Sequence, residues 1–332
     1  MGIAVLLTIL FILGVDIYTF LSTTPNKEKT GKTINIVPGT KFYQIAFALK
    51  EKGIISDIKK FTLLARLKGA VSKVKAGEYA LDTTMTPLHV LDVLEKGKVI
   101  KYRITIPEGY TVFQVAALIK EAGIAKGDCF AEKAFDPSLL TSMSIKGKSF
   151  EGYLFPDTYF FTKGINQEEI IRVMTDRFKT VFNENFVARA KELGLNEKDV
   201  VTLASIIEKE TYCRQEKYLI SAVFHNRLRK GIRLQSDPTV IYGLKSFNGN
   251  LTKRDLQKKT PYNTYRIKGL PPGPICNPGK EAIEAVLNPA QTDYLYFVSK
   301  NDGTHYFSKN LVEHNQAVAK YQKRKRRKKV LE

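Results

Sequence analysis

Residues 34–54 read INIVPGTKFYQIAFALKEKGI, and residues 104–124 read ITIPEGYTVFQVAALIKEAGI. Ile36 aligns with Ile106, Gly39 with Gly109, Gln44-Ile45-Ala46 with Gln114-Val115-Ala116, and Gly53-Ile54 with Gly123-Ile124. Each copy predicts a short strand, a glycine turn and a helix of about ten residues stopped by glycine. Ile45, Ala48 and Leu49 give the first helix its i, i+3, i+4 apolar stripe. A duplicated βα unit points to an α+β chain built from small modules.

The repeat admits two readings: a scaffold duplication, or a pair of LysM-like glycan-binding units. Between the copies, residues 75–99 predict a strand and a helix, with Thr86-Pro87 at the helix start, where proline is tolerated. From about residue 150 the composition changes. EGYLFPDTYFF (151–161) is aromatic-rich, residues 165–186 and 218–231 predict amphipathic helices, and DYLYFVSKNDGTHYFSKN (293–310) predicts a hairpin around Asn-Asp-Gly. The expected division is an anchor at 1–21, a polar linker at 22–32, a LysM-like repeat domain at 33–148, a mixed α+β catalytic domain at 149–320 and a basic tail at 321–332.

The anchor expectation comes from GIAVLLTILFILGVDIYTFL (2–21), whose one charge is Asp16. About 20 apolar residues suffice for a transmembrane helix, and no small-x-small cleavage site follows. No Lys or Arg precedes the segment, while Lys27, Lys29 and Lys32 follow it, a weak pointer to a cytoplasmic body. The 332 residues carry a net charge of +20, with 43% hydrophobic and 26% charged residues, which excludes a wholly disordered chain. Part of that charge is the run from Lys320 to Lys329, which reads as a solvated tail able to touch anionic polymers. Nothing else resembles a nucleic-acid reader, so no nucleic-acid partner is expected. Cys129, Cys213 and Cys276, and His89, His225, His305 and His314, have no metal-ligand spacing; neither metal nor cofactor is expected.

The helix EKDVVTLASIIEKE (197–210) offers candidate chemistry. Asn196 and Asp199 form a capping-box pattern, and Leu195 and Val200 a hydrophobic staple. Val200, Leu203, Ala204 and Ile207 make its buried stripe. Glu208 and Glu210 both flank that stripe, and periodicity does not choose between them. Downstream, RLQSDPTVIYG (233–243), TPYNTYRIKGLPPGPICNPG (260–279) and YFSKNLVEHN (306–315) are dense in Tyr, Asn, Gln, Thr and Pro. Aromatic faces beside amides and hydroxyls suit a sugar, whose rings stack and whose hydroxyls hydrogen-bond.

EGYLFPDTY, LASIIEKET, VFHNRL, RLQSDPTVIYG, YNTYRIKGLPPGPICNPG and YFVSKNDGTHYF, in this order across residues 150–315, resemble the membrane-anchored endolytic murein transglycosylases, the MltG (YceG-like) family. The resemblance extends in architecture to the anchor and the LysM-like repeat. It implies cleavage of nascent peptidoglycan strands between MurNAc and GlcNAc, leaving a 1,6-anhydroMurNAc end, and thus a lyase that terminates strand elongation and works beside cell-wall synthases. It also implies that Glu210 is the catalytic acid and that the body lies outside the cytoplasmic membrane, where the substrate is.

Ordinary glycosidases use two carboxyl groups. Here one suffices: Glu210 protonates the glycosidic oxygen, then accepts a proton from the MurNAc C6 hydroxyl as it attacks C1. Gln235, Tyr262, Asn263 and Tyr265 are the candidate glycan-positioning residues, and Asp237 is a candidate to orient a partner; Glu151 and Asp157 are weaker candidates. Two rival readings stand beside this one: a hydrolytic muramidase with Asp237 as base, and a non-enzymatic wall-binding scaffold.

Overall fold

The computed structural model describes residues 2–323, without the side chains of residues 2–6, 9, 10, 13 and 323. Residues 324–332 of the expected basic tail lie outside the described residues. The chain divides into two compact units. One comprises Met1–Arg103, Gly123–Lys126 and Phe160–Ile165; the other comprises Ile104–Ala122, Gly127–Tyr159 and Asn166–Glu332.

In the first unit the elements are α1 (Gly2–Ser22), β1 (Gly31–Ile36), α2 (Phe42–Glu51), α3 (Ile58–Leu67), β2 (Gly77–Asp82) and α4 (Pro87–Glu95). β1 and β2 pair antiparallel from Gly31↔Asp82 to Ile36↔Gly77. Ile34 and Ile36 are buried while Asn35 is exposed, the period of two that a one-sided sheet requires. They pack with Phe42, Ile45, Leu49, Phe61, Tyr79 and Leu94 into one core, within which Phe42 and Phe61 stack at 5.8 Å. Thr86 caps α4 by accepting from His89 N at 3.3 Å, with Pro87 in the first turn, as the sequence predicts.

α1 is a continuous helix whose last turns meet this core through Phe20, while Lys60 Nζ lies 2.5 Å from Asp16 Oδ1. Among the described residues no helix is long and apolar enough to cross a membrane. The transmembrane expectation falls partly on α1 side chains outside that description.

The remaining elements are β3 (Tyr102–Thr105), α5 (Val112–Ala122), α6 (Phe130–Ala134), α7 (Pro137–Ser142), β4 (Thr158–Phe161), α8 (Gln167–Val181), α9 (Glu184–Glu192), α10 (Glu197–Glu210), α11 (Arg214–Arg229), α12 (Asp237–Tyr242), α13 (Lys253–Gln257), α14 (Lys280–Leu287), β5 (Tyr296–Ser299), β6 (His305–Ser308) and α15 (Leu311–Val318). A π-helical turn follows over Ala319–Lys323. Small two-stranded sheets, β1–β2, β3–β4 and β5–β6, stand among helices, a mixed α+β architecture.

Both copies of the repeat form the expected strand–turn–helix. Gly39 and Gly109 take φ of 85° and 76°, and Gly53 and Gly123 take 68° and 60°, the left-handed values that favour glycine. The copies belong to different units, however: the expected 148/149 boundary would keep them together, but α5 falls in the second unit. Local hydrogen bonds there explain the grouping, since Gly109 N donates to Asn277 O at 2.9 Å and Asn277 N to Tyr110 O at 2.8 Å.

The hairpin forms as predicted, pairing Tyr296↔Ser308 through Ser299↔His305, with Asn301 at φ 64° in its turn. The single helix expected over 165–186 is instead α8 and α9. Asn183 interrupts it by accepting from Asn185 N and Phe186 N, a competing cap that a purely apolar periodicity overlooks. α11 starts at Arg214, four residues before the expected 218.

Candidate active site

α10 begins at the predicted capping box: Asp199 N donates to Asn196 Oδ1 at 3.0 Å, and Asn196 N to Asp199 Oδ2 at 3.1 Å. From Val200 to Glu208 every residue is buried, so this is a central helix packed against α11 and α14. Its C-terminal turn therefore has to place two carboxyl groups near a core.

Glu208 is taken up by a buried ion pair. Lys217 Nζ of α11 lies 2.8 Å from its Oε1, and Gly279 N donates to its Oε2 at 3.0 Å. Glu108 Oε2 is 3.6 Å from the same ammonium. Burial, then the neighbouring Glu208 charge, raises the Glu108 carboxyl above its ordinary range. A Cβ at Gly279 would stand 1.8 Å from Glu108 Oε1, so a side chain there would displace the Glu108 carboxyl group.

Glu210 is different. It is partly exposed, it makes no ion pair among the described residues, and its Oε1 accepts from Ser236 Oγ at 2.5 Å. Desolvation pushes its carboxyl up to about 7; the Asp237 charge adds to the rise, while the Ser236 hydroxyl and the Arg227 guanidinium oppose it. Ser236 occupies the N-cap position of α12 without capping it, because its hydroxyl turns to Glu210. Ser236 N donates to Thr264 Oγ1 at 2.9 Å, and Thr239 and Thr264 hydroxyls meet at 2.8 Å, which ties α12 to the loop 260–267. Arg227 is buried, donating to Leu234 O at 2.6 Å and Leu295 O at 2.7 Å.

The sequence-predicted residues do not all come together. Asp237 joins Glu210, and its Oδ1 accepts from Tyr265 OH at 2.6 Å. Gln235, one residue before Ser236, is exposed and holds a left-handed φ of 51°, a strained conformation of the kind found at functional sites. Tyr262 instead packs edge-on against Tyr242 at 4.8 Å. Asn263, expected to face glycan, is fully buried: it donates to Leu256 O and Lys258 O and accepts from Tyr265 N, so it shapes the loop.

Glu151 forms a second proton-poised group. It is buried, accepts from Val112 N at 3.0 Å and Tyr242 OH at 3.1 Å, and is pushed up to about 7 by desolvation. Asp157 pairs with Arg177 Nε at 2.7 Å beside β4, a structural placement. His225 Nε2 lies 2.9 Å from Val286 O, and His305 Nδ1 lies 2.7 Å from Glu216 Oε2. Sequence reasoning missed Ser236 and Arg227, although both lie inside quoted motifs; their contacts join residues far apart in the chain.

Two carboxyl groups raised to about 7, Glu210 at the end of a central helix and Glu151, are thus the candidate acids of this mixed α+β protein, and Glu210 is the one hydrogen-bonded to Ser236. The YceG-like family model matches residues 34–320. The chain is 35% identical over 319 residues to the endolytic murein transglycosylase of Bacillus subtilis (strain 168), covering 91% of this chain and 88% of that one. It is 30% identical over 324 residues to the endolytic murein transglycosylase of Streptococcus pneumoniae (serotype 2, strain D39), covering 87% of this chain but 58% of that longer relative. A crystal structure of a YceG-like protein from Listeria monocytogenes is similar with a TM-score of 0.60 and 34% identity, covering 87% of this chain and 100% of that one. The chain belongs to the YceG-like family.

Proposed function

We propose that this protein is an endolytic lytic transglycosylase that cleaves peptidoglycan glycan strands between MurNAc and GlcNAc, with Glu210 as its one acid–base group. The observation that carries this is the Glu210 carboxyl group: partly exposed, hydrogen-bonded to Ser236 and pushed up to about 7. Such a group is protonated in a substantial fraction at neutral pH and still able to release its proton. It donates that proton to the glycosidic oxygen as the C1–oxygen bond breaks. The resulting carboxylate is held by the Ser236 hydroxyl and the nearby Arg227 charge, then accepts the proton of the MurNAc C6 hydroxyl as that oxygen bonds to C1. The nucleophile belongs to the same sugar, so proximity replaces an activated water. Gln235 and the aromatic rings of Tyr262 and Tyr265 position the strand, while Asn263 keeps their loop in shape.

Digestion of purified strands tests the reading: each new reducing end carries a 1,6-anhydro sugar, lighter by one water than a hydrolytic end. Hydrolytic ends would support the muramidase reading, for which the proximity of Asp237 to Glu210 is the motivating observation. The wall-binding scaffold reading requires Glu210→Gln to leave function intact.

We further propose that α1 anchors the protein in the cytoplasmic membrane, with the described chain after α1 outside. Its 21 residues span about 32 Å as a helix, and Leu7, Phe11, Ile12, Val15 and Ile17 are exposed along it. External labelling of a cysteine placed at Lys253 in intact cells checks this; protection from the label would refute it. The βα repeats act as LysM-like glycan contacts, and the enzyme works beside cell-wall synthases, releasing their strands. Crosslinking in growing cells tests that partnership, and failure to recover any glycan synthase would count against it.

A further inference from the structure

The second unit holds a cavity of about 200 Å³ whose lining includes Glu151, Tyr153, Tyr262, Lys146, Lys148 and Lys198. A neighbouring hollow shares Tyr153, Lys146 and Lys198. The Tyr153 ring is fixed edge-on against Phe178 at 5.1 Å, and the residue is 1% exposed. Its hydroxyl is nevertheless buried without a hydrogen-bond partner. A buried hydroxyl left unpaired is unfavourable. Burial, then the charges of Glu197 and Asp199, raise the Tyr153 hydroxyl above its ordinary range, so it remains a phenol and a donor.

The rim carries the complementary charge. Lys146, Lys148 and Lys198 make no ion pair within 4 Å among the described residues. Glu197 is the one acid lining the neighbouring hollow, and Glu151 already accepts from Val112 and Tyr242. The ring of Tyr262 supplies an apolar wall. Tyr262 and Tyr265 lie on one loop, and their Cα atoms stand at most about 10 Å apart. Tyr265 donates to Asp237, whose charge acts on Glu210. The cavity is therefore joined to the surroundings of Glu210 through this one loop.

We propose that this cavity is a subsite for a carboxylate of the peptide stem borne by the glycan strand, received by the Tyr153 hydroxyl and the Lys148 and Lys198 ammonium groups. The proposal rests on the reading of the protein as a peptidoglycan-cleaving enzyme. The apolar wall suits a short peptide better than a bare phosphate.

Two measurements on the full chain test it. The first compares cleavage of stem-bearing strands with cleavage of strands from which an amidase has removed the stems. Tyr153→Phe and the double variant Lys148→Ala/Lys198→Ala are expected to raise KM on stem-bearing strands about tenfold and leave stem-free strands unchanged. Tyr153→Phe removes only an unpaired buried hydroxyl, so its melting temperature should equal or exceed that of the parent. The second titrates the isolated stem peptide, and separately inorganic phosphate, against the parent and both variants. Peptide binding that both variants lose supports the subsite. Equal effects on the two substrates, no effect on either, or phosphate binding in place of peptide binding would overturn it. If the parent releases no anhydro product from either substrate, the activity reading falls, and the peptide titration still judges the subsite.

Discussion

Glu208 and Glu210 leave the same helix two residues apart and meet opposite surroundings. Glu208 has a buried ammonium at 2.8 Å and a backbone N–H at 3.0 Å, so each of its oxygens has a partner. Glu210 has one hydroxyl at 2.5 Å and an acidic neighbour, and desolvation favours its neutral form. One carboxyl group is held by an ion pair; the other makes none among the described residues.

The largest expected effect breaks this comparison at Glu210. Glu210→Gln keeps the size of the side chain but cannot cycle a proton, so anhydro-product formation should fall by at least about 10²–10⁴-fold. Glu208→Gln should retain substantial activity wherever it folds. The assignment fails if purified variants with matched circular dichroism rank the other way round.

The next effect belongs to the paired pocket. Lys217→Met leaves Glu208 buried without its partner, which should cost about 3–5 kcal/mol in urea unfolding. Adding Glu208→Leu should recover much of that loss, because an apolar pair avoids the desolvation of two charges. A double variant no more stable than Lys217→Met would show that Gly279 and Glu108, rather than the pair, dominate the site.

pH sharpens the contrast further. The Glu210 carboxyl rises from an ordinary value of 4.5 to about 7 in the folded protein, so between these values the native chain binds a proton the unfolded chain has released. Stability attributable to this group is therefore full below about pH 4.5 and is lost as pH rises through about 7. Cleavage should fall over the same upper range as the acid loses its proton. Ser236→Ala removes a donor to the carboxylate and should move that descending limb up by about one pH unit; an unmoved limb in the kcat/KM profile would separate Ser236 from the acid. Glu210→Gln should flatten the part of the stability profile due to Glu210, leaving the part due to Glu151, which is also raised to about 7.

The smallest effect is expected at Tyr265. Tyr265→Phe removes its hydrogen bond to the exposed Asp237, a change of about 0.5–1.5 kcal/mol at most in stability. A rise in KM with kcat nearly unchanged would mark Tyr265 as a strand-positioning residue; a fall in kcat alone would tie it to the chemistry instead.

The duplicated βα units show how far local sequence reaches. In both, a glutamine caps its helix in the same way: Lys41 N donates to Gln44 Oε1 at 3.1 Å and Thr111 N to Gln114 Oε1 at 2.9 Å. Their glycines take matching left-handed angles. A Cβ at Gly39 would meet nothing within 4 Å, whereas one at Gly109 would meet Lys209 and Glu208 side chains at 3.6 and 3.7 Å. Lys209 Nζ also reaches Gly109 O at 3.4 Å. Equivalent turns thus end in open space in one copy and at α10 in the other.

The sequence by itself determined the βα repeat, the capping box of α10, the Asn-Asp-Gly hairpin and the short list of acids, because caps, turns and periodicity act over a few residues. It could not separate Glu208 from Glu210 by pattern, nor show that Asn263 turns inward while Ser236 turns to the acid. Those outcomes depend on Lys217, Gly279, Thr264 and Arg227, which approach from other elements. Only the tertiary structure decided them, because desolvation and ion pairing are set by what surrounds a carboxyl group in space.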